Sequence, residues 1–306
     1  MYAMLTLARL DDRAVLAVTG PDARPFLHNL LTQNVEALEP GALRYAALLT
    51  PQGRLLHDLF LWGQADGVRL DVAASARDDL LRRLTLYRLR AKVQIEPTDE
   101  AVFAEWLPFP LPGPGGGGRP QDASGSPETS TPTPPRKGEG LRCVDPRSRD
   151  LGWRALGSSP PPEAELADAQ AYDRHRLRHG VPDAARDGLS DRAYPIEADL
   201  DLLGAIDFKK GCFIGQETTS RMHRRGQVKT RLLPLVVEAA APGAEVLAGQ
   251  LRAGEVTYAQ GDRALALLRL DRVAGAALTV DGRPARVDPP AWFPQALATA
   301  PVAPAG

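Results

Sequence analysis

In 306 residues the chain carries 37 basic and 38 acidic side chains, a formal net charge of −1, with 43% of its residues hydrophobic. That balance excludes a global field drawing nucleic acid or anionic lipid, so any basic site is local. Two cysteines, Cys143 and Cys212, are too few for a disulfide scaffold, and too few for a self-contained four-ligand zinc or iron–sulfur site.

The N-terminus places Arg9 and Asp11-Asp12 where a signal peptide needs an uninterrupted apolar core, and no window reaches 18 apolar residues. A cytoplasmic protein with no membrane partner and no direct nucleic-acid partner is expected. LTLARL and AVLAVTG flank Asp11-Asp12-Arg13 and read as a hairpin. Gly20-Pro21-Asp22 opens a helix with Phe26, Leu27, Leu30 and Leu31 on one face. RYAALLT, LLHDLFLW and GVRLDVA read as strands separated by turns at 51–53 and 65–67; ARDDLLRRLTLYRLRA reads as an amphipathic helix and KVQIEP as a strand. Residues 108–140 hold nine Pro and eight Gly, too little apolar surface to offset the entropy of ordering, and read as a disordered insertion. After it, LRCVDPRSRDLGWRAL reads as a strand and turn, and EAELADAQAYDRHRLRHG as a helix closed by Gly180. From Val228 six short strand signals follow, with Asp281-Gly282 as a hairpin turn. The expected division is an α+β domain from residues 1–107 and 141–228, a small antiparallel β-barrel at 229–293, and a flexible tail at 294–306.

The stretch KKGCFIGQETTSRMHRRG holds the chemistry with the sharpest signal. Lys is scarce, five against 32 Arg, yet Lys209 and Lys210 are paired beside Cys212. Gly211 and Gly215 bracket the cysteine and permit a tight turn and close approach of a ligand. Residues 216–225 have the charge order of a helix, with Glu217 early, Arg221, Arg224 and Arg225 late, and Gly226 as a stop. A cysteine near a helix N-terminus and two ammonium groups is favoured as thiolate, the form that attacks electrophiles and binds metals; the alternative is a buried structural cysteine. Asp58 lies in an apolar strand, either on its exposed face or aimed into a pocket as a base or heterocycle acceptor, and Glu197 is a second such acceptor. His175 and His179 have the i,i+4 spacing of a metal pair but sit among arginines and read instead as a basic helix end. No GxGxxG or P-loop is present.

KKGCFIGQETTSR resembles the signature of the YgfZ family of folate-binding proteins, roughly K-G-C-F/Y-x-G-Q-E-x-x-x-R, on Lys210, Gly211, Cys212, Phe213, Gly215, Gln216, Glu217 and Arg221. That family includes a mitochondrial iron–sulfur assembly factor and is distantly related to the aminomethyltransferase of glycine cleavage. PFLHNLLTQNV, TPQGRLLHDLFLW, YRLRAKV, DPRSRDLGWR, RLRHGVP and YPIEADLDLL resemble further family blocks in family order. The resemblance implies a cloverleaf of three subdomains around a central channel, the last a small barrel. It implies tetrahydrofolate or a related folate as ligand, with Asp58, Glu197 and Arg176 as contacts. It also implies late maturation or repair of 4Fe–4S enzymes, with tRNA modification affected indirectly. In that role Cys212, assisted by Lys210, would stand at the channel mouth as a redox thiol or as a ligand of a transient cluster shared with a carrier or scaffold protein. Gly211, Gly215, Gln216, Glu217 and Arg221 would shape the loop. The transferase relatives carry an Asp-Asp pair where this chain has His57-Asp58, which weighs against the alternative of a tetrahydrofolate-dependent aminomethyl or one-carbon transferase. A folate-responsive module that recruits other factors without chemistry is the third expectation.

Overall fold

A computed structural model describes residues 5–107, 140–157, 165–226 and 228–294. The expected disordered insertion, Gly140 apart, and the expected tail, Pro294 apart, lie outside the described residues. In chain order the elements are β1 (Thr6–Arg9), β2 (Arg13–Thr19), α1 (Ala23–Leu30), β3 (Leu43–Leu49), β4 (Leu55–Gly63), β5 (Gly67–Ala73), α2 (Arg77–Arg88), β6 (Gln94–Thr98), β7 (Ala101–Trp106), β8 (Leu141–Val144) and β9 (Trp153–Gly157). There follow β10 (Glu165–Ala167), α3 (Ala169–Arg178), α4 (Gln216–Arg225), β11 (Thr230–Val236), β12 (Glu245–Ala248), β13 (Leu251–Gln260), β14 (Arg263–Arg269), α5 (Leu270–Val273), β15 (Leu278–Val280) and β16 (Arg283–Val287).

These make three lobes. The first is an antiparallel sheet ordered β3-β4-β5-β2-β6, with α1 and α2 on one face. Strand period two sorts β4 cleanly. Leu59 and Leu61 pack under the helices with Leu27, Leu80 and Leu84. Phe60 shares the opposite face with Tyr45, Ala47 and Leu49, against Leu177, Leu189 and Leu203. Burial on both faces explains why LLHDLFLW is nearly continuously apolar. The second sheet runs β10-β1-β7-β9-β8, with α3 packed beside it. The third lobe is a closed barrel, β11-β14-β13-β12-β15-β16, sealed where β16 meets β11 at Leu235 and Val236. All six expected barrel strands form, and Asp281 and Gly282 both take positive φ (50° and 74°), as their tight turn requires.

Three expectations are corrected. β1 and β2 are not a hairpin. Arg13 N–H does close a turn onto the Leu10 carbonyl at 3.0 Å, but β1 pairs with β7 and β10 while β2 pairs with β5 and β6, so this turn carries the chain from one sheet to the other. The helix ending near Gly180 is shorter than its sequence signal. Glu165–Ala167 extends beside β1, and the helix starts after Asp168, whose carboxylate accepts from Ala171 N–H at 2.7 Å. Finally, LRCVDPRSRDLGWRAL, expected as one strand and a turn, holds two strands, β8 and β9, and AVFAEW is the strand β7.

Trp106 of β7 stacks on His175 of α3, ring centroids 5.2 Å apart and 20° from parallel, tying the helix to its sheet. Burial, with His179 close by in edge contact, pushes the His175 pKa from 6.5 down to about 4. The unfolded chain therefore takes up this proton first, so the contribution is complete above pH 6.5 and is lost as pH falls toward 4. The difference is worth roughly 3 kcal/mol at full effect. In urea unfolding, His175→Phe, which keeps a stacked ring, should lose less stability than the wild type as pH falls from 6.5 to 4; an equal loss in the two proteins would assign the proton elsewhere.

Candidate functional site

The motif loop is held from beneath. Lys210 is buried, and its ammonium donates to the carbonyls of His28 and of Leu31, the latter at 2.6 Å, at the C-terminal end of α1. A cation there satisfies orphan carbonyls and complements the helix dipole. Burial pushes the Lys210 pKa down to about 8, opposed by the charges of Asp207, Glu36 and Cys212. Lys210 is thus an anchor for the loop whose charge still reaches the cysteine. Gly215 anchors the other end. It has φ +77°, and a Cβ there would lie 2.6 Å from the Thr50 carbonyl and 2.8 Å from Gly53 Cα, so the loop packs against the turn after β3 only with glycine at this position. Phe213 is buried, while Gly211 and Cys212 are exposed. Cys212 is therefore no structural core thiol. Cys143 is half-buried, donates from Sγ to the Gly41 carbonyl at 3.2 Å, and burial raises its pKa.

Gln216 and Glu217 open α4 and line a surface groove, while Arg221 is exposed farther along the helix. The expected helix at 216–225 is present and ends at Gly226, φ +62°.

Asp58 and Arg176 lie where the three lobes meet. Asp71 of β5 accepts from Arg13 Nε at 2.7 Å and from Arg154 Nε of β9 at 2.6 Å. Burial alone would raise its pKa, but the two guanidinium groups hold it below the usual carboxylate range. Arg154 and Arg147 lie over the Phe60 ring at 3.8 and 4.8 Å, and Arg147 pairs with Asp145 at 2.8 Å and donates to Tyr172 Oη at 2.7 Å. Arg176 bridges Asp173 at 2.5 Å and Asp187 at 2.7 Å, and Tyr258 of the barrel donates to the same Asp173. Asp58 accepts from Tyr45 Oη at 2.8 Å and from Ala184 N–H at 3.3 Å; burial, reinforced by Asp183, raises its pKa.

Asp58 and Arg176 are thus brought to one junction, both within the field of Asp183. Glu197 is not with them: it accepts from Tyr194 N–H at 2.9 Å and feels Arg54 and Arg231, against the barrel. No residue of the Cys212 loop lines the small cavity at this junction. Sequence reasoning took Asp58 from the junction but passed over Asp71 and Arg154, which carry the same signal: a charge inside an apolar strand.

Two family models match the chain: the GCVT N-terminal domain over residues 11–114 and the CAF17 C-terminal beta-barrel domain over residues 229–295. The human mitochondrial iron–sulfur cluster assembly factor IBA57 is 34% identical over 292 residues, covering 87% of this chain and 78% of that protein. Its mouse counterpart is 32% identical, covering 88% and 79%. Among solved structures, the glycine cleavage system aminomethyltransferase T from Bartonella henselae superposes with a TM-score of 0.72 over 96% of this chain and 87% of its own, at 19% identity, a likeness of fold.

Folate does not fit the junction. The space left among Arg13, Phe60, Arg147, Arg154 and Arg176 is about 10 Å³, room for a single water, whereas ligand pockets run to roughly 300 Å³ or more. Arg176 spends four of its five N–H groups on Asp173, Asp187 and the Val181 carbonyl, leaving one for any ligand. In calorimetric titration with tetrahydrofolate under reducing conditions, Asp58→Asn should behave as the wild type does; a tenfold or larger difference in Kd would place folate at this junction. Asp71→Asn should cost about 3–5 kcal/mol in urea unfolding, since it leaves two buried guanidinium groups short of their counter-charge; a loss under 1 kcal/mol would contradict the ion-pair account.

Proposed function

Because this chain belongs to the family of IBA57 iron–sulfur cluster assembly factors, built on the GcvT-like fold, we propose that it acts in iron–sulfur cluster assembly, with Cys212 as one thiolate ligand to a cluster it shares with a partner protein. The observation that carries this reading is the placement of Cys212: exposed, on a loop pinned at Lys210 and Gly215, with no hydrogen bond from its thiol among the described residues. A pinned loop presents a ligand without the entropy cost of ordering it at each encounter. Among the described residues no three His, Cys, Asp or Glu side chains converge to hold a metal, so the remaining cluster ligands come from the partner. Carrier or scaffold proteins supply that partner, clients are 4Fe–4S enzymes, and effects on tRNA modification follow from iron–sulfur enzymes among those clients.

A folate-dependent transferase has weaker support. It needs substrate room at Asp58, where Tyr45, Ala184 and the arginines already occupy the space. A tetrahydrofolate requirement for the assembly role is likewise unsupported by the junction.

Complementation of a bacterial strain lacking its own family member tests the reading. Wild-type protein and Cys143→Ser should restore the activity of a 4Fe–4S hydratase, and Cys212→Ser should leave it at least tenfold lower. Full restoration by Cys212→Ser would remove the thiol role.

A further inference from the structure

Between the end of α3 at Arg178 and the start of α4 at Gln216 the chain forms no helix or strand. The position of the motif loop therefore rests on individual hydrogen bonds, and each buried polar group there needs a partner of its own. Gly211 does not fix the loop. Its φ lies outside the left-handed region, and no atom stands within 4 Å of the place a Cβ would occupy. Cys212 is exposed, with no hydrogen bond from its thiol among the described residues.

The bonds that do hold the loop converge from the residues just after α1. Thr32 is wholly buried. Its N–H donates to the Ala47 carbonyl at 3.0 Å and its hydroxyl accepts from Ala47 N–H at 2.8 Å, which seats it on β3. The same hydroxyl donates to the Ala205 carbonyl at 2.7 Å, and the Thr32 carbonyl accepts from Asp207 N–H at 3.0 Å. Gln33 adds a bond from Nε2 to the Gly204 carbonyl at 2.8 Å. Asp207 is thus placed by its backbone and acts through its side chain. Its Oδ1 accepts from Lys209 N–H at 2.8 Å and from Lys210 N–H at 3.2 Å. The Lys210 ammonium then returns to the Leu31 carbonyl at 2.6 Å, beside Thr32. Thr32, Asp207, Lys210 and Leu31 close a ring, and Cys212 follows it by two residues.

We propose that Asp207 is a positioning residue for Cys212, taking its own place from Thr32 and passing it to the loop through the two lysine N–H groups. This rests on the ligand role of Cys212 and adds the device that holds the thiol in place. Without the carboxylate, both N–H groups lose their acceptor and the ring opens on the side from which Cys212 extends. The first sheet and α1 keep their own bonds. What the geometry asks of residue 207 is an acceptor oxygen, because both partners are backbone donors, and an asparagine carbonyl supplies one as well. Asp207 also supports the charge of Lys210. Asp207→Asn separates the two contributions, since it keeps the acceptor and removes the charge.

The test uses the full chain with Cys143→Ser as parent, so that a thiosulfonate nitroxide labels Cys212 alone, and records a melting temperature for every variant. The electron paramagnetic resonance spectrum of the parent should contain a slow-motion component. Asp207→Ala should lose most of that component while melting within about 2 °C of the parent, and Asp207→Asn should retain it. Thr32→Val, which removes the hydroxyl bond to Ala205, should loosen the label too, and Thr32→Ser should not; equal spectra for these two would remove Thr32 from the device. In the complementation assay, unlabelled Asp207→Ala should lower 4Fe–4S hydratase activity at least about threefold, with Asp207→Asn close to wild type. A parent label already in fast motion, Asp207→Asn as loose as Asp207→Ala, or Asp207→Ala matching the parent in mobility and activity overturns the positioning role. So does a large fall in melting temperature for Asp207→Ala, since the bond would then hold the fold and not the loop. The two readings separate: Cys212→Ser that complements fully sinks the ligand role and leaves the label result standing, while unchanged mobility in Asp207→Ala sinks only the positioning role.

Discussion

The carboxylate of Asp71, wholly buried between Arg13 and Arg154, is the interaction on which the rest of the molecule depends. It joins the helix-covered sheet to the second sheet, and Arg176 with Asp173 and Tyr258 carries the same lattice into the barrel. Buried charges repay their desolvation only when every partner is in place. The lattice is therefore all-or-none, and it fixes how the three lobes meet more strictly than apolar packing would. The Phe60 ring at its centre, with Arg154 at 3.8 Å, leaves no slack for a bound heterocycle.

That constraint separates two features that sequence reasoning had joined. Asp58 belongs to the lattice and is spent on Tyr45 and Ala184, whereas Cys212 is set on the outer surface by anchors of a different kind. Lys210 caps the carbonyl end of α1, and Gly215 fits its backbone against the turn at Thr50 and Gly53. An acid and a thiol that looked like two parts of one pocket are the interior and exterior of one fold. The aminomethyltransferase-like architecture is kept, and Cys212 lies exposed on its surface.

Local signals were legible wherever the chain answers to its near neighbours. The barrel strands, the Asp281-Gly282 turn and α4 with its Gly226 stop all follow from alternation, turn chemistry and charge order within about ten residues. The motif itself was legible because lysine is rare here and a cysteine between glycines has few uses. The failures share one cause. LTLARL and AVLAVTG were read as partners because a tight turn joins them, but their partners β7 and β5 lie tens of residues away. EAELADAQ was read as helix because nothing in its own sequence reveals β1 waiting alongside.

By itself, then, the sequence determined the family, the mixed α+β class with its terminal barrel, and Cys212 as the residue of interest, since these rest on residue types at short spacing. Only the tertiary structure decided that Arg176 and Asp58 are interior ion-pair and hydrogen-bond partners, that Glu197 stands apart from them, that Lys210 is an anchor, and that Gly215 is required by packing while Gly211 is not. The physical reason is that charge in a folded protein takes its meaning from what surrounds it. An aspartate in an apolar strand is a base, a ligand or a rivet according to which side chains arrive from sixty or a hundred residues away, and no local pattern encodes their arrival.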